Sequence, residues 1–293
     1  MKAAEFDYAR PATIEEACRL LDGAAGDGKI IAGGQTLVPL LVMRLARPTL
    51  VIDINRIAAL QGIAANDDGV TIQAATRQAD VLADATIHER LPLLTKGLRL
   101  VGHPQTRNRG TIGGSLANAD PSAEICLVAR TLDAELTARS SGGTRKLMMS
   151  EFCAGAMTTS LTAEECLTAI RFPVWTEKRV GTAFTEMSIR QSDFALVAAA
   201  CQLVVDDGGV CRKLALGIGG AEASPVRATA AEARLTGTRL EAGDVDAAMD
   251  ELQQTLQPLA DVHASADYRR RVAGALAARV IAEARDDAMR VHA

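Results

Sequence analysis

The sequence predicts an α+β protein whose N-terminal part is α/β. Three observations lead there. In the first fifty-odd residues, apolar β-branched runs alternate with a capped helical pattern. From about residue 60 to 175 strand and helix signals are mixed. Beyond that, three apolar runs are followed by three helical segments, the order of a separate α+β unit with a three-stranded antiparallel sheet. These shifts of pattern divide the chain at 1–57, 58–176 and 177–293.

In the first unit, Thr13-Ile14-Glu15-Glu16 has the form of a capping box and opens a helix running to about Leu21. A short strand over 29–32 leads to Gly33-Gly34, then to an apolar segment at 37–45. The β-branched run "TLVIDI" at 49–54 is a second, buried strand. In the middle unit, 70–74 alternates as a strand, and 79–100 carries helical spacing interrupted by Pro92. Asp120-Pro121-Ser122 supplies the start of a helix over 123–132, with Asp120 as its cap. Strands follow at 134–138, 145–149 and 166–172. In the last unit, strands at 182–189, 194–205 and 211–218 include a hairpin at "DDGG" (206–209), and helices follow at 228–235, 244–256 and 267–288. Arg269, Arg270 and Arg271 are expected on a solvated helix face.

Composition excludes several functions. Hydrophobic residues make up 48% and charged residues 23%, as in ordinary soluble proteins. A net charge of −4 argues against a nucleic-acid groove, which needs clustered Lys and Arg. The longest nearly apolar stretch, 194–205, is too short to span a bilayer, and the N-terminal "MKAAEFDYARP" has no secretory pattern, so a cytoplasmic location is expected. The 6 cysteines are scattered without CxxC spacing and read as buried free thiols. No metal site is expected in the chain.

Two Gly-Gly turns stand out, "IAGGQT" at 31–36 and "GTIGGS" at 110–115. Glycines allow positive φ and close approach of a ligand, and successive N–H groups in such a turn can converge on an anion. Neither turn matches GxGxxG or the P-loop pattern. Taken singly, each is open between a plain strand-to-helix connection and a phosphate nest. Taken together, with Arg107 and Arg109 upstream of the second, they suit a clamp on one pyrophosphate. Gly142-Gly143, Gly208-Gly209 and Gly219-Gly220 read as plain turns.

Four blocks, "IAGGQTLVPLL" (31–41), "HPQTRNRGTIGGSLANADPSAE" (103–124), "RQSDFALVAAA" (190–200) and "DYRRRVAGALAARV" (267–280), resemble, in order, the FAD-binding medium subunit of molybdenum hydroxylases, relatives of xanthine, carbon monoxide and nicotinate dehydrogenases. The resemblance implies a two-subdomain FAD-binding fold of the PCMH/VAO type followed by a C-terminal α+β domain. It implies that Ile31, Ala32, Gly33, Gly34, Gln35, Thr36 and Leu37 wrap the FAD pyrophosphate from one side. Gly110, Thr111, Gly113, Gly114 and Ser115, with Ala117 and Asn118, would hold it from the other. Glu124 matches an acidic position near the adenosine ribose, Val101 and Gly102 positions beside the isoalloxazine, and Cys166 and Leu167 a strand passing the flavin edge. Glu186 stands where some relatives place a lysine near the flavin. Thr106, Ser115, Val101 and Phe194 depart from residues found in several relatives, which leaves the substrate of the assembly open.

No Ser-His-Asp, Cys-His or carboxylate-pair constellation is apparent, so no catalytic side chain is assigned. That fits a chain whose chemistry belongs to its cofactor. The resemblance implies partners: an iron–sulfur small subunit with [2Fe-2S] clusters and a molybdopterin large subunit, in a dimer of heterotrimers. A stand-alone flavoenzyme of the related oxidase superfamily and a non-redox nucleotide-binding protein are the alternatives.

Overall fold

The computed structural model describes residues 2–290. Its first unit opens with β1 (Asp7–Ala9) and α1 (Ile14–Gly23). The Thr13 hydroxyl accepts from Glu16 N at 3.2 Å, and the Glu16 carboxylate reaches back to Ala12 N at 2.9 Å. The capping box therefore forms, closing one residue earlier than its usual form. After β2 (Gly28–Ile31), helix α2 (Leu37–Val42) and β3 (Leu50–Asp53), the strands form a parallel sheet in the order β1-β3-β2. The apolar segment that begins at Leu37 is helical only as far as Val42, and Arg44 just beyond takes φ +60°. Strand β1 has no signal in the sequence, because three mostly exposed residues show no alternation.

The middle unit is a five-stranded antiparallel sheet in the order β4-β5-β10-β6-β7. It comprises β4 (Ile63–Asn66), β5 (Gly69–Gln73), β6 (Glu135–Ser140), β7 (Gly143–Met148) and β10 (Cys166–Pro173). Between β5 and β6 the helical run starting at 79 is not one interrupted helix but three: α3 (Gln78–Ala83), α4 (Ala85–Arg90) and α5 (Pro92–Leu98). Asp84 stays extended and caps α4 through Oδ1 to Ile87 N at 3.1 Å, and Pro92 takes the first turn of α5, where its missing N–H costs nothing. Helices α6 (Pro104–Arg109), α7 (Ile112–Asn118) and α8 (Glu124–Thr131) follow, the last within a residue of expectation. Asp120 is not its cap: the carboxylate bonds Ser122 N at 2.9 Å in a local turn, and Ala123 occupies the cap position. A short α9 (Met149–Phe152) and a small hairpin, β8 (Cys153–Gly155) with β9 (Thr158–Thr159), lie before β10.

The last unit holds β11 (Val180–Ser188), β12 (Ala195–Val205), β13 (Cys211–Gly219) and a two-residue β14 (Val226–Arg227), so the expected three-stranded sheet gains a short fourth strand. Helices α10 (Thr229–Leu235), α11 (Ala242–Thr255) and α12 (Ala266–Arg290) cover it. The Asp206 carboxylate closes the β12–β13 turn on Gly208 N and Val210 N, both at 2.9 Å. Strand β12 is buried on both faces, which explains its unbroken apolar run. Val197, Ala199, Cys201 and Leu203 join the C-terminal core, whereas Ala195, Ala198 and Ala200 join the middle one. Alanines here, with Gly217 and Gly219 beneath Leu127 and Thr131, let α8 lie directly on the sheet. Among the described residues, no helix is long and apolar enough to cross a membrane.

Arg269 corrects the expected solvated triplet. It is 5% exposed and bonds the carbonyls of Leu196 and Gly220 and the Asp261 carboxylate, so it ties α12 to the ends of β12 and β13. On the outer face of the sheet, α12 packs against Gly181 of β11 so closely that a Cβ there would strike the backbone of Ala284 and Ala288. Gly181→Val is expected to destabilise the fold by about 3 kcal/mol, read from the urea midpoint, since backbone cannot be repacked like a side chain. An unchanged midpoint would refute this packing.

Candidate cofactor site

Strand β2 delivers the first glycine turn to the edge of a cavity of about 420 Å³, lined by Tyr8, Gly33, Gly34, Gln35, Asn55 and Arg109 among others. Gly34 takes φ +71°, a conformation natural to glycine. Among the described residues, the N–H groups of Gly33, Gly34, Gln35 and Thr36 donate to no acceptor in the chain. The turn is thus a set of backbone donors without partners beside an open space, which is what an anion needs.

The two glycine turns meet directly. A Cβ on Gly33 would sit 2.5 Å from Arg109 O and 2.8 Å from the Gly110 Cα. Gly110 in turn is pressed against the Gln78 side chain, where a Cβ would lie 2.7 Å from Gln78 Oε1. A polar chain locks this junction. Tyr8 hydroxyl donates to Asp53, Asn55 Nδ2 donates to Asp53 Oδ1 at 2.6 Å and Ala32 O at 2.8 Å, and Arg77 donates to Asn55 Oδ1 at 2.6 Å and also to Arg109 O. Burial pushes the Asp53 carboxyl up, but the bonds from Tyr8 and Asn55 outweigh it and hold it below its usual range. Burial, together with the neighbouring Arg109 charge, lowers the Arg77 guanidinium. Arg109 lines the cavity beside the free N–H groups, and Arg77 braces it from behind through the Arg109 carbonyl. Tyr8, Asp53, Asn55 and Arg77 were not expected at the site. The one hint was a buried strand, "VID", ending on a carboxylate with an amide two residues on.

The second turn differs from expectation. It is the start of α7 and not a free nest, because the N–H groups of its glycines, Ile112 and Ser115 are spent within the chain. Ile112 N bonds Thr76 O at 3.1 Å, Gly113 N bonds Ala74 O at 2.8 Å, and Gly114 N bonds the Thr111 hydroxyl at 3.0 Å. The glycines serve close packing: a Cβ on Gly113 would overlap Ala74. Ser115 N bonds Thr111 O at 3.2 Å, Ala117 is exposed, and Asn118 Nδ2 lies 3.8 Å from Met157 Sδ.

A second group forms where α5, α6, α8 and β11 converge. Arg107 turns away from the glycine turns and donates to Val101 O at 2.8 Å and Gly102 O at 2.9 Å. Glu124 feels the Glu186 charge here, and burial first of all pushes each carboxyl up to about 7. Cys166 and Leu167 do not line the cavity; their side chains enter the N-terminal and middle cores, and burial pushes the Cys166 thiol up to about 12.

This arrangement fits the diphosphate of a dinucleotide: unclaimed N–H groups, no Cβ in the way, and Arg109 on the cavity wall for charge. Gln35 and Thr36 would add side-chain donors. FAD held here supplies reversible one- and two-electron chemistry, while the chain supplies binding and orientation. Gly33→Val, which must lift the first turn off Arg109, is expected to cut FAD retention by roughly tenfold or more with unchanged circular dichroism. Full flavin content would contradict the junction's role. The glutamates set a second test. Both titrate higher folded than the ordinary 4.5, so the stability they contribute is complete below about pH 4.5 and lost as pH rises to about 7. Glu186→Gln is therefore expected to raise the Tm of the FAD-free chain at pH 8 and leave it nearly unchanged at pH 5.

Residues 4–175 match the family model of the FAD binding domain in molybdopterin dehydrogenase, and residues 182–284 that of the CO dehydrogenase flavoprotein C-terminal domain. The chain is 39% identical over 284 residues to the 6-hydroxypseudooxynicotine dehydrogenase complex subunit alpha of Paenarthrobacter nicotinovorans, covering 97% of this chain and 96% of the relative. It is 32% identical to the carbon monoxide dehydrogenase medium chain of Afipia carboxidovorans, covering 96% of each. Among solved structures, quinoline 2-oxidoreductase from Pseudomonas putida 86 superposes with a TM-score of 0.93 at 34% identity, over 99% of this chain and 100% of that one. A Cu,Mo-CO dehydrogenase superposes with a TM-score of 0.94 at 31% identity, over 98% and 100%. Two family models that together take in both glycine turns and the C-terminal sheet, with relatives matched along their whole length, show that the chain belongs to the family of FAD-binding medium subunits of molybdenum hydroxylases.

Proposed function

We propose that the chain holds FAD at the junction of its two glycine turns and relays electrons through it. They arrive from [2Fe-2S] clusters of a small partner subunit, which receives them from a molybdopterin large subunit, and leave for an external acceptor. The observation that carries this reading is the row of unclaimed N–H groups at Gly33 to Thr36, fixed against Arg109, which Arg77 braces. The relatives' names describe dehydrogenase complex subunits and medium chains, which supports partner subunits and a role as one component of a larger enzyme. A dimer of heterotrimers in the cytoplasm, with units divided near 57 and 176, completes the proposal. In it, Ile31 to Leu37 hold the pyrophosphate from one side and Gly110, Thr111, Gly113, Gly114, Ser115, Ala117 and Asn118 from the other; Val101, Gly102 and Glu186 lie toward the ring, Glu124 toward the adenosine ribose, and Cys166 and Leu167, with side chains in the cores, pass the flavin edge by their backbone.

The purified chain is expected to be yellow, to bleach with dithionite and to release FAD on denaturation in a ratio near one per chain. A colourless chain that takes up no FAD on reconstitution would remove the basis of the proposal. Co-purification from native expression is expected to bring down an iron–sulfur and a molybdenum subunit, and turnover by the isolated chain would instead favour the stand-alone enzyme.

A further inference from the structure

The first glycine turn owes one of its open donors to a side chain that stands outside it. In a trans peptide the C=O and N–H point opposite ways, and among the described residues no peptide bond is cis. Whatever grips a carbonyl of the turn therefore aims the next N–H away from itself. Three successive carbonyls are gripped: Ala32 O by Asn55 Nδ2 at 2.8 Å, Gly33 O by Gln35 Nε2 at 3.3 Å, and Gly34 O by Val38 N at 3.1 Å. The N–H groups opposite them, on Gly33, Gly34 and Gln35, are ones that meet no acceptor among the described residues. The second and third grips come from the turn itself and the helix it opens. The first comes from Asn55, 23 residues further along the chain, just beyond β3.

Asn55 borders the cavity, but its amide has no hydrogen left for a ligand. Nδ2 carries two, and they go to Ala32 O and, at 2.6 Å, to Asp53 Oδ1. On the other side Oδ1 accepts from Arg77 at 2.6 Å, and the same guanidinium reaches Arg109 O, the atom against which Gly33 is packed. One orientation of the amide satisfies all of these. A carbonyl and a carboxylate accept, and a guanidinium donates, so Arg77 fixes which end of the amide faces Ala32.

We propose that Asn55 is a positioning residue: held by Arg77, it grips the Ala32 carbonyl and so aims the Gly33 N–H at the FAD diphosphate, giving no donor of its own. This rests on the FAD reading above and adds a residue that sets affinity for the diphosphate from behind. The rival role is a plain pin for Arg77, and replacement by Asp separates the two. Asn55→Asp keeps an oxygen, now charged, for Arg77, but turns an acceptor toward Ala32 O and Asp53. Asn55→Ala removes both contacts.

The test is the FAD affinity of the purified full chain. In both variants the Kd is expected to rise roughly tenfold, the effect of a lost hydrogen bond that orders the site, with circular dichroism unchanged. In FAD-loaded Asn55→Asp the phosphorus NMR signals of the diphosphate are expected to shift, while the visible absorption maximum of the flavin stays. The unmodified, FAD-loaded chain gives a reading that needs no variant to fold: a scalar coupling between the Gly33 amide nitrogen and an FAD phosphorus, across their hydrogen bond. If Asn55→Asp does not fold, that coupling decides. Parental affinity in folded Asn55→Asp, diphosphate signals that do not move, or no coupling at Gly33 each overturns the proposal. A parent chain that binds no FAD fails the function reading; a parent that binds FAD no better than Asn55→Asp does fails this one.

Discussion

The contact between Gly33 and the Arg109–Gly110 backbone is the constraint around which the site is built. It brings an edge of a parallel three-stranded sheet onto a helix end of the antiparallel five-stranded one, with no side chain between them. Backbone against backbone at this distance leaves no room for adjustment, so the positions of the free N–H groups follow from the packing of two whole units. The Tyr8–Asp53–Asn55–Arg77 chain then holds the junction in register from below. Because each link is satisfied by another, the turn's own donors remain for a ligand.

A second packing rule governs the other end of the cleft. Small residues on β12 and β13 let α8 lie against the sheet, and Glu124 on α8 and Glu186 on β11 are both carried into its shelter. Removing two carboxyls from water without a cation between them raises the affinity of each for protons. The C-terminal unit is thus joined to the cofactor-binding units by an apolar seam with a titrating pair at its rim. Lys96 adds a polar tie, pairing with Asp287 at 2.9 Å, while the same carboxylate accepts from Thr182 N at 3.0 Å.

Much of this was legible in the residues. The capping box at Thr13, the "DDGG" hairpin and the long apolar β12 each rest on local chemistry: a hydroxyl beside a helix start, a carboxylate closing a turn, a strand with no polar face. The family emerged from ordered motifs and is shown by matches along the whole chain. What was misread depends on neighbours distant in sequence. Arg269 looks solvent-facing until α12 docks and points it at two carbonyls, and 79–100 looks like one helix until Asp84 caps the next.

By itself the sequence determined most of the longer strands and helices, the two glycine turns and the family, because periodicity, caps and motif spacing are local properties. Only the tertiary structure decided that the two turns are unlike. The N–H groups of Ile112, Gly113 and Gly114 in the second are consumed by Thr76, Ala74 and Thr111, whereas those of the first stay open in the cavity that Arg109 lines. An N–H group is free or spent according to which carbonyl lies within about 3 Å of it, and that is fixed by packing between segments tens of residues apart.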